Sequence, residues 1–200
     1  MTHREFAKAL AETATLHTDH PDVAAFCPFP NNVKWRELEP FYVPAAKTMV
    51  TDTGFSTDKY TSLRDALIVL WDKANWRKTY RGTNIGDDFL NRFGCYELVG
   101  YEGHFECREM SSFLVYSDAG LHYPWHHHPA EEMYMIIAGE ALFEAEGKPS
   151  RVLGSGDTAF HASNQPHAMT TQDSPVLAYV IWRGEGMDTG PVLTERPVNE

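Results

Sequence analysis

The chain has 200 residues and a mass of 22.7 kDa, with 42% hydrophobic and 22% charged residues, as in an ordinary globular protein. Its formal net charge of −11 comes without a basic patch, which argues against nucleic acid, and it has no apolar run of about 18 residues to cross a membrane. Three cysteines (Cys27, Cys95 and Cys107) form no CxxC pair, and the start lacks an apolar signal core, so reduced, inert thiols in a cytoplasmic protein are expected.

In chain order, residues 1–22 read as a capped helix with Phe6, Leu10 and Ala14 on one face. The next stretch, FCPFPNNVKWRELEPFYVPAAK, carries four prolines and cannot be one regular element. Leu63, Leu67, Leu70 and Trp71 then mark a second helix over about residues 60–76. Trp35, Trp71 and Trp76 are expected to serve packing. After Gly94 the texture changes to short runs rich in β-branched and aromatic residues, broken by Gly, Asp and Pro. CYELVGYEGHFECREMSSFLVYSDAG, EEMYMIIAGEALFEAE, SRVLGSGDTAFHA and PVLAYVIWRGEG predict an antiparallel sandwich or barrel, with a turn at residues 146–148. The expected organisation is a helical N-terminal extension over 1–94 packing on a mainly β barrel over 95–200.

The chemistry concentrates in GLHYPWHHHPAEEMYMIIAG, residues 120–139. On an extended segment His126 and His128 share a face while His127 points away. Glu132 and Tyr134 likewise share a face. Two imidazoles and a carboxylate on one side of a sheet make a facial N₂O set that suits Fe(II), Mn(II), Ni(II) or Zn(II). A further nitrogen is expected from GDTAFHASNQPHAM (156–169), which offers His161 and His167.

Gly120, His126, His128, Glu132 and Gly139 match the first cupin motif, G-x5-H-x-H-x3-E-x6-G, at every defined position. Gly156, Asp157, Pro166 and His167 resemble the second, although Ala162, preceded by His161, stands where a midway proline is common. With HYPWHHHPAEEMY following a helical part of about 95 residues, the chain resembles the bacterial cupin-type dimethylsulfoniopropionate lyases (DddQ-like).

That resemblance implies a cupin fold, a double-stranded β-helix or jelly-roll barrel. It also implies β-elimination of a small sulfonium carboxylate, dimethylsulfoniopropionate, to acrylate and dimethyl sulfide. One divalent transition metal (Fe, Mn, Zn, Ni or Co) would be held by His126, His128, Glu132 and His167 and would bind the substrate carboxylate as a Lewis acid. Tyr134 is the candidate base, set against a plain packing role, with Tyr123 as the second candidate. Tyr123, Trp125 and Trp182 would hold the sulfonium by cation–π attraction. His161 is either a pocket residue or a satisfied strand histidine. His127 and Glu131 are expected to face away, and His122 and His104 are not expected to be ligands. Two rivals remain at this level: an Fe(II) dioxygenase acting on another small carboxylate, and a non-catalytic small-ligand-binding cupin. No nucleic acid or membrane partner is expected, and an N-terminal annex of this kind suits a homodimer.

Overall fold

A computed structural model describes residues 2–197. Five helices come first: α1 (Thr2–Asp19), α2 (Pro21–Phe26), α3 (Pro44–Thr51), α4 (Thr61–Ile68) and α5 (Asp87–Arg92). One short strand, β1 (Lys34–Trp35), lies among them, within the proline-rich stretch that forms no single continuous element. The remaining strands are β2 (Phe93–Gly100), β3 (Phe105–Glu106), β4 (Ser111–Ser117), β5 (His122–His127), β6 (Glu131–Ala145), β7 (Arg151–Gly154), β8 (Thr158–His161), β9 (His167–Thr170), β10 (Val176–Arg183) and β11 (Val192–Leu193). They hydrogen-bond in the order β1-β3-β2-β4-β10-β6-β9-β5-β11, with β7 and β8 also on β6. The architecture is the mainly β, cupin-type barrel that the sequence predicts.

Strand β6 joins the two halves of the barrel. Its first part lies between β10 and β8, and its second part between β7 and β9. Before the crossing Tyr134 and Ile136 face the barrel interior, and after it Ala141 and Phe143 do, so the inward parity changes from even to odd. A register shift opposite Leu177/Ala178 and the φ of +73° at Gly139 make that change. A Cβ at Gly139 would collide with the Pro175 carbonyl, so only glycine fits this corner.

The sheet β2-β4-β10-β6 is buried on both faces. Val176, Ala178, Val180 and Trp182 of β10 point into the barrel, while Leu177, Tyr179 and Ile181 point out into a second core with the helices. That second core includes Phe6, Ala9, Leu16, Met49, Leu63, Leu67 and Leu70. The helices therefore cover apolar surface that would otherwise face water, which is why β10 reads as a continuous apolar run.

Two helical expectations need correction. The buried stripe of α1 is Phe6, Ala9, Thr13, Leu16 and His17, with Leu10 and Ala14 only half-buried. Polar residues can sit in that stripe because their groups are bonded: the Thr13 hydroxyl to Leu10 O at 2.9 Å, and His17 to Cys27 O at 2.6 Å and to the Tyr179 hydroxyl at 3.1 Å. The second helix ends at Ile68, and the chain tightens through Leu70 N–H to Leu67 O and Trp71 N–H to Ile68 O before reaching Trp76.

His104 ties α1 to this assembly. Its ring stacks on Phe6 at 4.0 Å, and its Nε2 accepts the Asn75 backbone N–H at 3.0 Å, so it is neutral. Burial and the Arg36 guanidinium lower its pKa to about 4, and burial lowers that of His17 to about 4 as well. The unfolded chain then binds more protons, and stability is lost as pH falls from about 6.5 toward 4. Buried Glu97, raised to about 7, works in the opposite sense over part of that range. We expect His104→Gln, which keeps an acceptor for Asn75 but cannot be protonated, to be less stable than wild type at pH 7. The gap should close by about 2 kcal/mol at pH 5, as read by denaturant melts at both pH values. A constant gap would remove His104 as an acid-sensitive tie.

Candidate metal centre

Five strand ends converge inside the barrel. The register sets His126 of β5 opposite His167 of β9, and Glu132 of β6 between Trp182 of β10 and His161 of β8. His128 follows β5 directly, at the turn through Pro129 and Ala130. His126, His128, Glu132, His161 and His167 are all at most 2% exposed. Glu132 Oε2 lies 3.1 Å from His167 Nε2 and 3.5 Å from His128 Nε2. One donor atom from each of His128, Glu132 and His167 lies within 4.8 Å of the others, so these three could hold a metal ion. His126 stands beside that group, its ring 4.1 Å from His167 and 6.3 Å from His128 between centroids.

The imidazoles are oriented by one repeated device. Nδ1 of His126 meets Pro124 O at 2.7 Å, that of His128 meets Ala130 O at 2.9 Å, and that of His167 meets Gln165 O at 2.8 Å. A carbonyl only accepts, so each Nδ1 carries the proton and, in the neutral ring, Nε2 presents a lone pair. His128 Nε2, His167 Nε2 and Glu132 Oε2 are buried without a hydrogen-bond partner. Glu132 Oε1 accepts the Trp182 indole N–H at 2.7 Å, which fixes the carboxylate plane. Two lone pairs and a carboxylate oxygen converging without partners in a dry site fit a divalent cation, and the carbonyl and indole bonds are the outer support such a site uses. Burial opposes charge on Glu132, yet His128 and His167 hold its carboxyl well below the usual range. At His128 burial works the same way, and Glu132 outweighs it and raises the pKa.

Tyr134 and Tyr123 line a narrow cavity of about 40 Å³ with Glu132, Trp182, Phe113, Phe93, Cys95, Arg77 and Thr79. The Tyr123 ring stacks on His126 at 4.0 Å, and the Trp182 ring stacks on His128 at 4.3 Å. Burial pushes both tyrosine phenols well above their ordinary pKa, and the Glu132 charge adds to this at Tyr134. A larger groove, about 760 Å³, runs between α2 and β8 past Phe26, Phe160 and Arg183, and reaches Phe143 and Leu153 of the barrel core. Of the candidate site residues it touches only His161, so the inner cavity is where the chemical groups meet.

The other sequence candidates fall as follows. His161 stacks on His167 at 4.0 Å, and both of its ring nitrogens are buried without a partner. Trp125 is not brought to the cavity. A register shift between Tyr123 and His126, at Pro124, breaks the alternation, and Trp125 lies half-buried with the Arg196 guanidinium 5.9 Å from its ring. His127 pairs with Val192 at the barrel edge, and Glu131 bridges Arg183 at 2.8 Å. His122 is exposed, and His104 belongs to the helix-packing core. The sequence reading passed over Arg77, Tyr80 and Phe113, and expected Cys95, which lines the cavity, to be an inert thiol. Tyr80 is the most consequential, since its hydroxyl lies 2.8 Å from that of Tyr123. The only signal for it was an aromatic residue in a polar, glycine-containing loop.

Comparison with known proteins agrees with this architecture. Residues 31–178 match the family model described as dimethylsulfoniopropionate lyase. The chain is 45% identical over 193 residues to dimethylsulfoniopropionate lyase DddQ of Ruegeria pomeroyi, covering 96% of each protein. The crystal structure of that lyase superposes with a TM-score of 0.93 at 44% identity, again over 96% of each chain. A chain from the crystal structures of the DMSP lyases RdDddP and RnDddQII gives a TM-score of 0.94 at 35% identity, covering 98% of this chain and 100% of that one. With three quarters of its length matched by the family model and nearly all of it by a relative of this similarity, the chain belongs to the dimethylsulfoniopropionate lyase family.

Proposed function

We propose that this chain eliminates dimethyl sulfide from dimethylsulfoniopropionate with Tyr134 as base, beside a divalent metal held by His128, Glu132 and His167. His126 is the candidate fourth ligand. The chain is a carbon–sulfur lyase of its family, and neither a dioxygenase nor a mere ligand-binding reading is favoured by any feature of the site. The observation that carries the metal assignment is the meeting of three unpartnered donor atoms in a buried site whose histidine tautomers are already fixed.

A metal ion bound there would supply Lewis acidity toward the substrate carboxylate and favour the ionised form of nearby acids. The remaining work falls to side chains. Tyr134 Oη takes the proton from the carbon alpha to the carboxylate, the C–H electron pair becomes the double bond, and the C–S bond breaks with its pair going to sulfur. Dimethyl sulfide leaves neutral, so no general acid is needed, and the proton passes from Tyr134 to solvent. Phe113, Trp182 and Tyr123 offer aromatic faces to the sulfonium, worth about 0.5–2 kcal/mol depending on desolvation.

The direct test is headspace measurement of dimethyl sulfide from purified protein supplied in turn with Fe(II), Mn(II), Co(II), Ni(II) and Zn(II). Release that a chelator abolishes is expected, and silence with every ion would remove this substrate. Tyr134→Phe should lower turnover by about 10²-fold or more with bound metal unchanged; a near-normal rate would return Tyr134 to packing. Trp182→Phe, which frees Glu132 Oε1, should weaken metal affinity by about 10- to 100-fold in competition with a chromophoric chelator. Unchanged affinity would leave Trp182 as a wall of the pocket only.

A further inference from the structure

We propose that Tyr80 is a positioning residue for the elimination, acting through Tyr123; this rests on the lyase reading above. Tyr80 belongs to the loop between α4 and α5, far in sequence from every motif residue. Its ring is 7% exposed and meets Phe89 at 6.1 Å and Tyr123 at 5.9 Å, both edge-on. Its backbone sits at φ +64°, a left-handed conformation that a bulky residue rarely adopts. Such a conformation persists only where the surroundings over-determine it. Here the Thr83 N–H and the Thr83 hydroxyl both donate to Tyr80 O, at 3.1 and 2.8 Å.

The held side chain ends at one place, the Tyr123 hydroxyl, 2.8 Å away. Tyr123 lines the cavity with Tyr134 and Glu132 and lays its ring on His126. A phenol has a single proton and a rotor that turns freely unless a partner fixes it. Either oxygen of the pair can donate, and in both cases Tyr80 decides whether Tyr123 offers a proton or a lone pair toward the cavity. Removing the Tyr80 oxygen leaves the rings packed but releases that rotor beside the reacting atoms. The role is therefore orientation of a group at the site, supplied by a residue that does not itself line the inner cavity, although its loop neighbours Arg77 and Thr79 do.

A double-mutant cycle tests this. Tyr80→Phe should lower kcat for dimethyl sulfide release by roughly 3- to 10-fold, with KM within about 2-fold and metal content unchanged. If Tyr80 acts through Tyr123, the Tyr80→Phe/Tyr123→Phe double variant should be no slower than Tyr123→Phe alone. Multiplying losses, an unaffected Tyr80→Phe or an unaffected Tyr123→Phe would each overturn the proposal. A second readout does not depend on turnover. With tyrosine labelled with ¹³C at Cζ, the Tyr123 resonance, assigned by its absence in Tyr123→Phe, should move in Tyr80→Phe, and a fixed resonance would overturn the proposal. Wild-type protein silent toward the substrate while the resonance moves would instead sink the lyase reading and keep the pair.

Discussion

A buried carboxylate is the constraint around which this barrel is arranged. Glu132 is 2% exposed, and an ionised group so placed costs several kcal/mol unless its lone pairs are met. Trp182 meets one oxygen through its indole N–H, while the other lies 3.5 and 3.1 Å from the Nε2 atoms of His128 and His167 with no donor hydrogen between them. Each of those partners is itself fixed, the histidines by carbonyls two residues away and Trp182 by stacking on His128 and by Phe113 at 5.2 Å. One carboxylate in the barrel wall thus faces groups from β10, β9 and the turn that follows β5.

The strand that carries Glu132 explains why the rest of the chain is needed. β6 pairs with β10 and β8 before its Gly139 corner and with β7 and β9 after it, so one strand serves both halves of the barrel. On the outer face of the same sheet Met133, Met135 and Ile137 lie between the inward residues Glu132, Tyr134 and Ile136 and are covered by the helices. Packing of α1 and α4 on that face therefore bears on the side chains one residue away on the other. The helices stabilise the sheet by burial, and the sheet holds the cluster rigid.

Much of this was legible in the sequence, for a definite reason. Strand alternation is local, so His126 with His128 and Glu132 with Tyr134 could be put on shared faces from spacing alone. Two motifs in order then implied the barrel. The failures share a cause as well. Trp125 was a candidate by residue type and resemblance alone, and neither reveals the register shift between Tyr123 and His126 that interrupts the alternation there. The buried stripe of α1 was misjudged because Thr13 and His17 look polar until their partners, Leu10 O, Cys27 O and the Tyr179 hydroxyl, are known. No spacing rule connects Tyr80 with Tyr123, 43 residues on, because the contact is purely tertiary.

The inner site is out of balance when only its protein groups are counted. Glu132 is held ionised, two imidazole nitrogens face it with no partner, and burial keeps the adjacent Tyr134 phenol protonated. A protonated phenol beside a carboxylate is the wrong state for a base, and the carboxylate makes it worse. Positive charge at the meeting point of the three donors corrects all three mismatches together: it partners the nitrogens, neutralises the carboxylate and draws the phenol toward its ionised form. Each of these buried groups would be costly alone. His128, Glu132 and His167 are arranged so that they could hold a cation, and the proposed base Tyr134 lines the same cavity as Glu132.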